Sequence, residues 1–545
     1  MTNKEIARSF QLLGNLMELH GENKFKIRSY QSAYVNIRKL PQQLADMSAE
    51  EINAVKGIGK AIAGKIGELL NGGQMATLER YKAETPHGIQ EMLQIKGFGP
   101  KKIEVIWKEL GVETVGELLY AVNENRLVEL KGFGAKTQED LRQKLEYYQK
   151  SKDQFHYASL DAEAAKIEKK IKDALLGFRF ERTAGLRRAE NVENGLTFIT
   201  DGPVEQIQAA LEGLTEDWIN DGKSISGKTV DGFPLKILLS DTGSFGTQQF
   251  LYTLPEQIII KADEIPQTAD EKEVFKALNW AYLEPELRSS DWAIQLAKEH
   301  QVPDLLQLSD IKGVVHNHST YSDGMQSIQE MAAYSQELGY EYLVMTDHSK
   351  SAFYANGLKE DRVLQQFAEI DQLNQSLENF KILKGIESDI LSDGALDYED
   401  DLLAQFDVVI ASVHSNLRMD EHKATQRLLK AIENPYTHIL GHPTGRLLLS
   451  RKGYPIDHQL IIDACAENKV SIELNANPYR LDLDWTWIPY AMEKGVLISI
   501  NPDAHSTSGI HHIKYGVISA RKGGLTAENC LNTRDLEGFL KALKK

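Results

Sequence analysis

Cysteine is scarce. The 545 residues include two, Cys465 and Cys530, far apart in the chain. A disulfide framework and a thiolate zinc site are both excluded. No apolar run approaches the ~20 residues that a membrane span needs. The opening stretch, MTNKEIARSFQLLGNLMELHG, has the pattern of an amphipathic helix and lacks the apolar core of a secretory signal. Both absences predict a cytoplasmic protein with no membrane partner. Positive charge is also in short supply, with a formal net charge of −17. That balance argues against broad electrostatic attraction to nucleic acid but leaves room for local phosphate contacts. The deficit is uneven: residues 1–150 carry a net +3, 151–310 a net −11 and 311–545 a net −9. Carboxylates can also belong to a metal site, whose cations reverse the local sign. Hydrophobic and charged residues, at 42% and 26%, are present in globular proportion, so disorder is excluded. The length predicts three or four domains.

Three rhythms divide the chain. Residues 1–150 read as helices separated by glycine turns. One pattern appears three times: Val55-Lys56-Gly57-Ile58-Gly59-Lys60, Ile95-Lys96-Gly97-Phe98-Gly99-Pro100-Lys101 and Leu130-Lys131-Gly132-Phe133-Gly134-Ala135-Lys136, each followed by an amphipathic helix. Residues 151–300 read as α+β, with helical AEAAKIEKKIKDALL and PVEQIQAALEGL and strand-like LTFIT, LKILLS and EQIIIK. The stretch DWAIQLAKEHQVPDLLQLSD then reads as a connector. From residue 311, seven apolar strand-like runs alternate with helical stretches, which predicts parallel strands joined by crossover helices.

Histidine concentrates in this last region, with 11 of the 15 beyond residue 310. Ionisable residues fall at the ends of nearly every run, where parallel α/β folds build active sites. His316 and His318 end the first run. Their two-residue spacing predicts that both point to one side of an extended strand. Asp323 follows in the next turn, His348 ends the second run, and Glu387 lies in the third. His414 and His442 end the fourth and fifth, and Asp503 and His505 end the seventh. Six imidazoles with three carboxylates suit zinc, manganese or iron, and the number is enough for about three ions at three or four ligands each. Arg446, Arg480 and Lys350 lie beside these ligand-bearing loops. The planar guanidinium fork makes the two arginines the better candidates for holding a substrate phosphate.

The motifs HNHSTYSDG, TDHS, GIESDI, ASVHS, GHPTGR, LNANPYR and PDAHS resemble the PHP (polymerase and histidinol phosphatase) domain over about 235 residues. The resemblance implies a distorted (β/α)7 barrel with a trinuclear metal centre that hydrolyses phosphoesters. It would give one ion to His316, His318, Glu387 and Asp503, and a second to Glu387, His414 and His442 with Glu387 bridging. A third would go to Asp323, His348 and His505. Glu387, Arg446 and Arg480 are the expected catalytic residues.

A Gly-h-Gly turn ahead of a helix turns backbone N–H groups outward and forms a neutral phosphate site with the helix N-terminus. The repeats look like helix-hairpin-helix motifs, which grip the DNA backbone without reading sequence. Gly57, Gly59, Lys60, Gly97, Gly99, Lys101, Gly132, Gly134 and Lys136 are the expected contacts. Three hairpins ahead of a PHP domain resemble the bacterial family X DNA polymerases. That resemblance implies a small domain at 1–80 holding a 5′-phosphate, a fingers-like domain at 81–150, a palm/thumb-like α+β region at 151–300 and the PHP domain at 311–545. Lys26 and Tyr30 match phosphate-holding positions, and Lys65 falls near a Schiff-base lysine.

The palm departs from the family pattern of a Gly-Ser turn, an Arg pair and Gly-Asp-h-Asp on a strand. The chain reads Ala184-Gly185-Leu186-Arg187-Arg188 and then Asn194-Gly195-Leu196-Thr197-Phe198. The aspartate positions hold Gly195 and Thr197, and the third carboxylate, expected within 234–239, is Leu or Lys. Nucleotidyl transfer needs two ions held by such carboxylates. The expectation is therefore a monomeric, metal-dependent 3′→5′ exonuclease acting in repair on gapped or nicked DNA or 3′ ends, without sequence preference, that has lost polymerase chemistry. An active gap-filling polymerase with an exonuclease, and a small-molecule phosphatase of the histidinol-phosphate type, are the alternatives.

Overall fold

The computed structural model describes all residues except 41, 96, 97, 129, 131, 151–153, 259, 261–264 and 545, and leaves undescribed the side chains of 147, 149 and 150. Two compact units divide the chain, Met1–Tyr148 and Gln149–Lys545.

The first unit is helical among its described residues. The three hairpins share one build. Ile58, Phe98 and Phe133 are buried, and their N–H groups bond back to the carbonyls of Val55, Ile95 and Leu130 at 3.0, 3.1 and 2.9 Å. The apolar residue of each Gly-h-Gly anchors the turn in the core. Gly57 and Gly132 adopt φ of +86° and +91°, a region that glycine occupies without a Cβ penalty.

The second unit begins with seven strands: β1 (Phe155–His156), β2 (Phe180–Arg182), β3 (Val192–Glu193), β4 (Leu196–Thr200), β5 (Thr215–Asn220), β6 (Ser224–Thr229) and β7 (Pro234–Leu239). β1 pairs with β3, and the rest form a mixed sheet in the order β2-β4-β7-β6-β5. Leu196, Phe198, Ile225, Leu235 and Ile237 face the helix Tyr157–Ala174 and pack on its Leu160, Ala164, Ile167 and Ile171. Strand alternation turns Thr197 and Lys236 to the opposite face, where they sit in register on neighbouring strands. The polar β5–β6 hairpin has no clear apolar alternation and escapes a sequence reading. The presumed connector is a packed element. Its helix Asp291–Lys298 buries Ala293, Ile294 and Ala297 in a second small core. Of the run EQIIIK, residues 259 and 261 lie outside the described residues, and Ile258 joins that same core.

The seven apolar runs after residue 311 become seven parallel strands: β8 (Gly313–Asn317), β9 (Tyr342–Met345), β10 (Lys381–Asp389), β11 (Val408–Ser412), β12 (Ile439–Leu440), β13 (Ser471–Asn475) and β14 (Ile498–Asn501). β8 and β14 approach through the bridge Asn317↔Ala504. His318 N donates to Ala504 O at 2.9 Å, so the sheet nearly closes into a barrel and few edge groups are left unpaired.

The middle sheet is fastened to the barrel by the helix Ile513–Lys522. Lys514 pairs with Asp161 at 2.5 Å, and Arg182 pairs with the same carboxylate at 2.7 Å. Lys522 is fully buried and donates to Glu190, Ser289 Oγ and the Arg188 carbonyl at 2.9, 3.0 and 3.2 Å. Those three acceptors match the three donors of its ammonium. His156 donates to Leu448 O at 3.1 Å and packs on Tyr479 with ring centroids 4.5 Å apart.

Candidate metal centre and DNA-contacting hairpins

Glu387 is the hub of the barrel mouth. Its Oε1 lies 3.0 Å from His442 Nε2, 3.1 Å from His414 Nε2 and 3.3 Å from His316 Nε2. Its Oε2 lies 2.9 Å from His348 Nδ1 and 3.7 Å from His318 Nε2. All nine expected ligands converge here from the C-terminal strand ends. His316, His318 and Asp503 form one group, His348, Glu387 and His414 another, and His318, Asp323, His348 and His505 a third. His318 and His348 thus each face two groups, which the sequence reading did not anticipate.

The route to this geometry differs from a regular strand. His316 has φ of +65°, and the β8–β9 register shifts between Val314 and Asn317. The irregularity re-aims the histidine, in the way that bulges commonly do beside active sites. Asp503 is likewise left-handed at φ +50°. Two non-glycine ligands in this region mark backbone strain held by the surrounding fold.

Two carboxylates that sequence reasoning passed over stand behind the ligands. Glu473, buried on β13, accepts from His316 Nδ1 at 2.6 Å, from the His442 N–H at 3.1 Å, and from Asn475 and Asn501 at 3.0 and 2.7 Å. Asp389 accepts from His414 Nδ1 at 2.6 Å and from Ser351 Oγ at 2.9 Å. Each fixes the ring so that Nε2 faces the centre, as carboxylates behind metal-ligating histidines do. The signal was present, because a glutamate in the middle of the apolar run VSIELN has to be paired when buried. Asp347 organises the Asp323 loop by accepting from Ser319, Ser322 and Gln366.

The electrostatics describe a pit built for cations. Burial pushes His316 down, yet Glu473, Asp503 and Glu387 outweigh it and hold the imidazole well above its usual range. His414, also opposed by burial, is raised to about 9 by Glu387 and Asp389. Burial lowers His318 to about 4, and His505 and His348 add to the effect. Burial, with help from Arg480, lowers His442. The carboxylates of Glu387, Asp503 and Asp323 fall below their ordinary range against the cost of burial, because histidines surround them. His316 Nε2, both ring nitrogens of His348 and Glu387 Oε2 are buried without a hydrogen-bond partner among the described residues. Buried polar atoms left open on one side and anchored on the other fit a set of metal ligands. The residues present therefore suit divalent ions.

The neighbouring cations have distinct settings. Arg480 is buried with Nε 3.8 Å from Asp503 Oδ2. Arg446 donates to Asp484 and to the carbonyls of Arg480 and Leu481, so it braces the Arg480 loop. Lys350 pairs with Glu360 at 2.7 Å.

In the first unit, Lys60, Lys101 and Lys136 are exposed in the first turns of the three post-hairpin helices. Those first turns carry no acidic residue, a feature shared with Lys24–Lys39 and His87–Met92, whereas Asn3–Leu19, Ala49–Ala54, Ala76–Glu84 and Val115–Asn123 carry glutamate in theirs. The free helix ends keep their positive dipole available for an anion. An added Cβ at Gly59, Gly99, Gly132 or Gly134 would meet nothing within 4 Å, while at Gly57 it would meet Asn36 at 2.2 Å. Gly97 lies outside the described residues. Lys26 pairs with Glu22 at 3.4 Å, and Lys65 Nζ donates to Thr77 at 2.5 Å. Tyr30 is 7% exposed, with its ring stacked on Phe10, which makes it a core residue.

Among the described residues, the middle sheet holds no comparable cluster. Gly195 immediately precedes β4 and Thr197 lies on it, paired directly with Lys236 of β7. A Cβ on Gly195 would lie 2.6 Å from the Pro234 carbonyl oxygen, and one on Gly185 would lie 1.4 Å from Glu193 Oε1. The Glu193 side chain fills the space beside the degenerate Gly-Ser turn. Arg187 is bound to Glu271, which also pairs with Arg288, and Arg188 is bound to Glu190.

The seven-stranded barrel with His, Asp and Glu side chains at its mouth is the architecture of a PHP domain, and the hairpins are those of helix-hairpin-helix modules. Family matches agree: a helix-hairpin-helix domain covers residues 1–75, a SAM-like helix-hairpin-helix tandem 89–146 and a PHP domain 315–477. The chain is 36% identical to the DNA polymerase/3′-5′ exonuclease PolX of Bacillus subtilis (strain 168), over 99% of its own length and all of that protein. It therefore belongs to the bacterial family X DNA polymerases with a PHP domain. A 243-residue stretch, 42% of the chain, is 28% identical to 94% of a probable phosphatase of Thermoanaerobacter sp. (strain X514). A similar match, at 26% over 42% of the chain and 94% of its partner, is to a probable phosphatase of Caldicellulosiruptor bescii.

Proposed function

We propose that the protein is a metal-dependent DNA phosphodiesterase that shortens 3′ ends in the 3′→5′ direction, acts on gapped or nicked DNA during repair, and does not extend primers. The observation that carries this reading is the contrast between a complete ligand set around Glu387 and a middle sheet whose corresponding face offers Gly195, Thr197 and Lys236. Three ions, manganese or zinc, would be held by His316, His318, Glu387 and Asp503, by Glu387, His414 and His442, and by Asp323, His348 and His505. Such ions supply a deprotonated water and charge neutralisation at the phosphate. Glu473 and Asp389 hold His316 and His414 in position. Buried Arg480, beside Asp503, adds fixed positive charge at the mouth. The hairpins hold the DNA backbone through N–H groups and the lysines that follow them, so affinity is independent of sequence. The protein acts as a cytoplasmic monomer in this reading, and no described helix is long and apolar enough to cross a membrane.

The test is a 5′-labelled primer on gapped DNA, incubated with the Mn²⁺-loaded protein and dNTPs. Shortening without extension is expected. Template-dependent extension would favour the alternative of an active gap-filling polymerase, in line with the DNA polymerase in the Bacillus relative's name. Hydrolysis of small phosphate monoesters with no action on DNA would favour the phosphatase reading.

A further inference from the structure

Phe353 is the most exposed aromatic residue among those described, at 81%. A lone apolar side chain on a surface ordinarily needs no explanation. Its setting distinguishes this one. The segment 349–358 is a tight excursion that leaves and rejoins the fold at a metal ligand: Leu358 N donates to His348 O at 2.8 Å and Ala352 N to Ser349 O at 3.1 Å. Ala352, Ala355 and Leu358 point inward and are buried. A Cβ at Gly357 would lie 2.0 Å from Ser349 O, so the backbone is closely packed. Asn356 and Arg362 both donate to Tyr321 O, which ties the excursion to the loop that carries Asp323. The excursion therefore displays Phe353 on a braced support.

The ring also stands close to the chemistry. Its centroid is 6.0 Å from that of Tyr354, which in turn is 6.4 Å from that of His348. Two ring-to-ring steps thus separate it from a metal ligand. The flanking charge is mixed: Lys350 and Lys359 lie on either side of Phe353, and Lys350 pairs with Glu360. Met325, on the loop that carries Asp323, is a second exposed apolar side chain at 56%.

We propose that Phe353 is a stacking platform for an unpaired nucleobase next to the phosphate held at the metal centre. This rests on the DNA-hydrolase reading above and narrows its substrate to a 3′ end whose last bases are single-stranded. Every base offers a π-face, so the platform discriminates nucleic acid from small phosphate esters without selecting sequence.

The test pairs a protein change with a substrate change. Mn²⁺-loaded wild type, Phe353→Ala and Phe353→Trp are assayed on a 5′-labelled single-stranded oligonucleotide and on the same strand with abasic residues at its 3′ end. Phe353→Ala is expected to lower kcat/KM on the normal strand about tenfold, the lower range for one lost base stack. Phe353→Trp is expected to restore it, with metal content unchanged in all three. The abasic strand should be slow with wild type and no slower with Phe353→Ala. Equal effects of Phe353→Ala on both strands, or no effect on either, would overturn the platform while leaving the hydrolase reading intact. A wild type that degrades neither strand would overturn the hydrolase reading and the platform together.

Discussion

The face of the middle sheet and the mouth of the barrel present very different side chains on neighbouring strands. One offers Thr197 and Lys236, and the other gathers histidines and carboxylates around Glu387. At the barrel mouth, Glu387 touches five histidines, and Glu473 and Asp389 stand behind His316 and His414. On the sheet, Thr197 and Lys236 lie in register where carboxylates would converge. The sheet is packed on both faces: Phe198 and Ile237 are fully buried on one, and Ile199 and Leu238 cluster with Phe245 on the other. Thr197 and Lys236 lie on that second face beside this cluster, so the packing of the sheet does not depend on carboxylates there. The pair Arg187–Arg188 has structural partners, Glu271 and Glu190, and Glu190 in turn holds Lys522 of the barrel.

The most damaging way to test that contrast is at its hub. Glu387→Gln keeps the shape and removes the charge that offsets adjacent cations. Turnover on labelled DNA is expected to fall by at least ~10²-fold, the upper end for losses around a metal site. Metal content should also fall, while DNA binding measured in EDTA persists. Near-normal turnover with full metal content would show that Glu387 does not bridge. The supporting carboxylates come next. Glu473→Gln and Asp389→Asn should each weaken metal affinity about 10- to 100-fold, read by competition with a chelator. Unchanged affinity would make them ordinary core groups.

Two further changes address the sheet and its docking. Burial holds His156 down at about 4, with the Leu448 carbonyl opposing. The unfolded chain therefore takes up a proton near pH 6.5 that the folded chain refuses until about pH 4. The neutral-state advantage is present above that window and is lost as pH falls through it, by about 3 kcal/mol at most. Urea unfolding from pH 7 to 4.5 should show His156→Gln losing less stability than wild type, and parallel curves would contradict the assignment. Gly195→Ala should cost about 1–3 kcal/mol through overpacking against Pro234, with no change in nuclease turnover. A neutral result would mean that the sheet can readmit a side chain there.

The smallest expected effect concerns the hairpins. Gly59→Val and Gly134→Val place bulk where nothing lies within 4 Å, so the fold should persist. Affinity should fall about equally for unrelated DNA sequences, by several-fold per hairpin. A loss confined to one sequence would refute a backbone grip.

By itself the sequence determined the seven barrel strands, the nine ionisable side chains that converge at their ends and the three hairpins. Each is written in local terms: apolar runs, ionisable residues at run ends, and glycine at fixed spacing. It also reads Gly195 and Thr197 where the family resemblance expects aspartates. Tertiary structure decided what depends on partners distant in the chain. The left-handed turn at His316 follows from closure of β8 against residue 504, and no spacing rule contains it. Glu473 reaches His316 across 157 residues of chain. Register alone placed Lys236 opposite Thr197. The connector around Asp291–Lys298 became a packed helix because the strip Ala293, Ile294 and Ala297 found a core to enter. Periodicity reports which face of an element is apolar, and only the assembled fold reports what that face, or a buried charge, will meet.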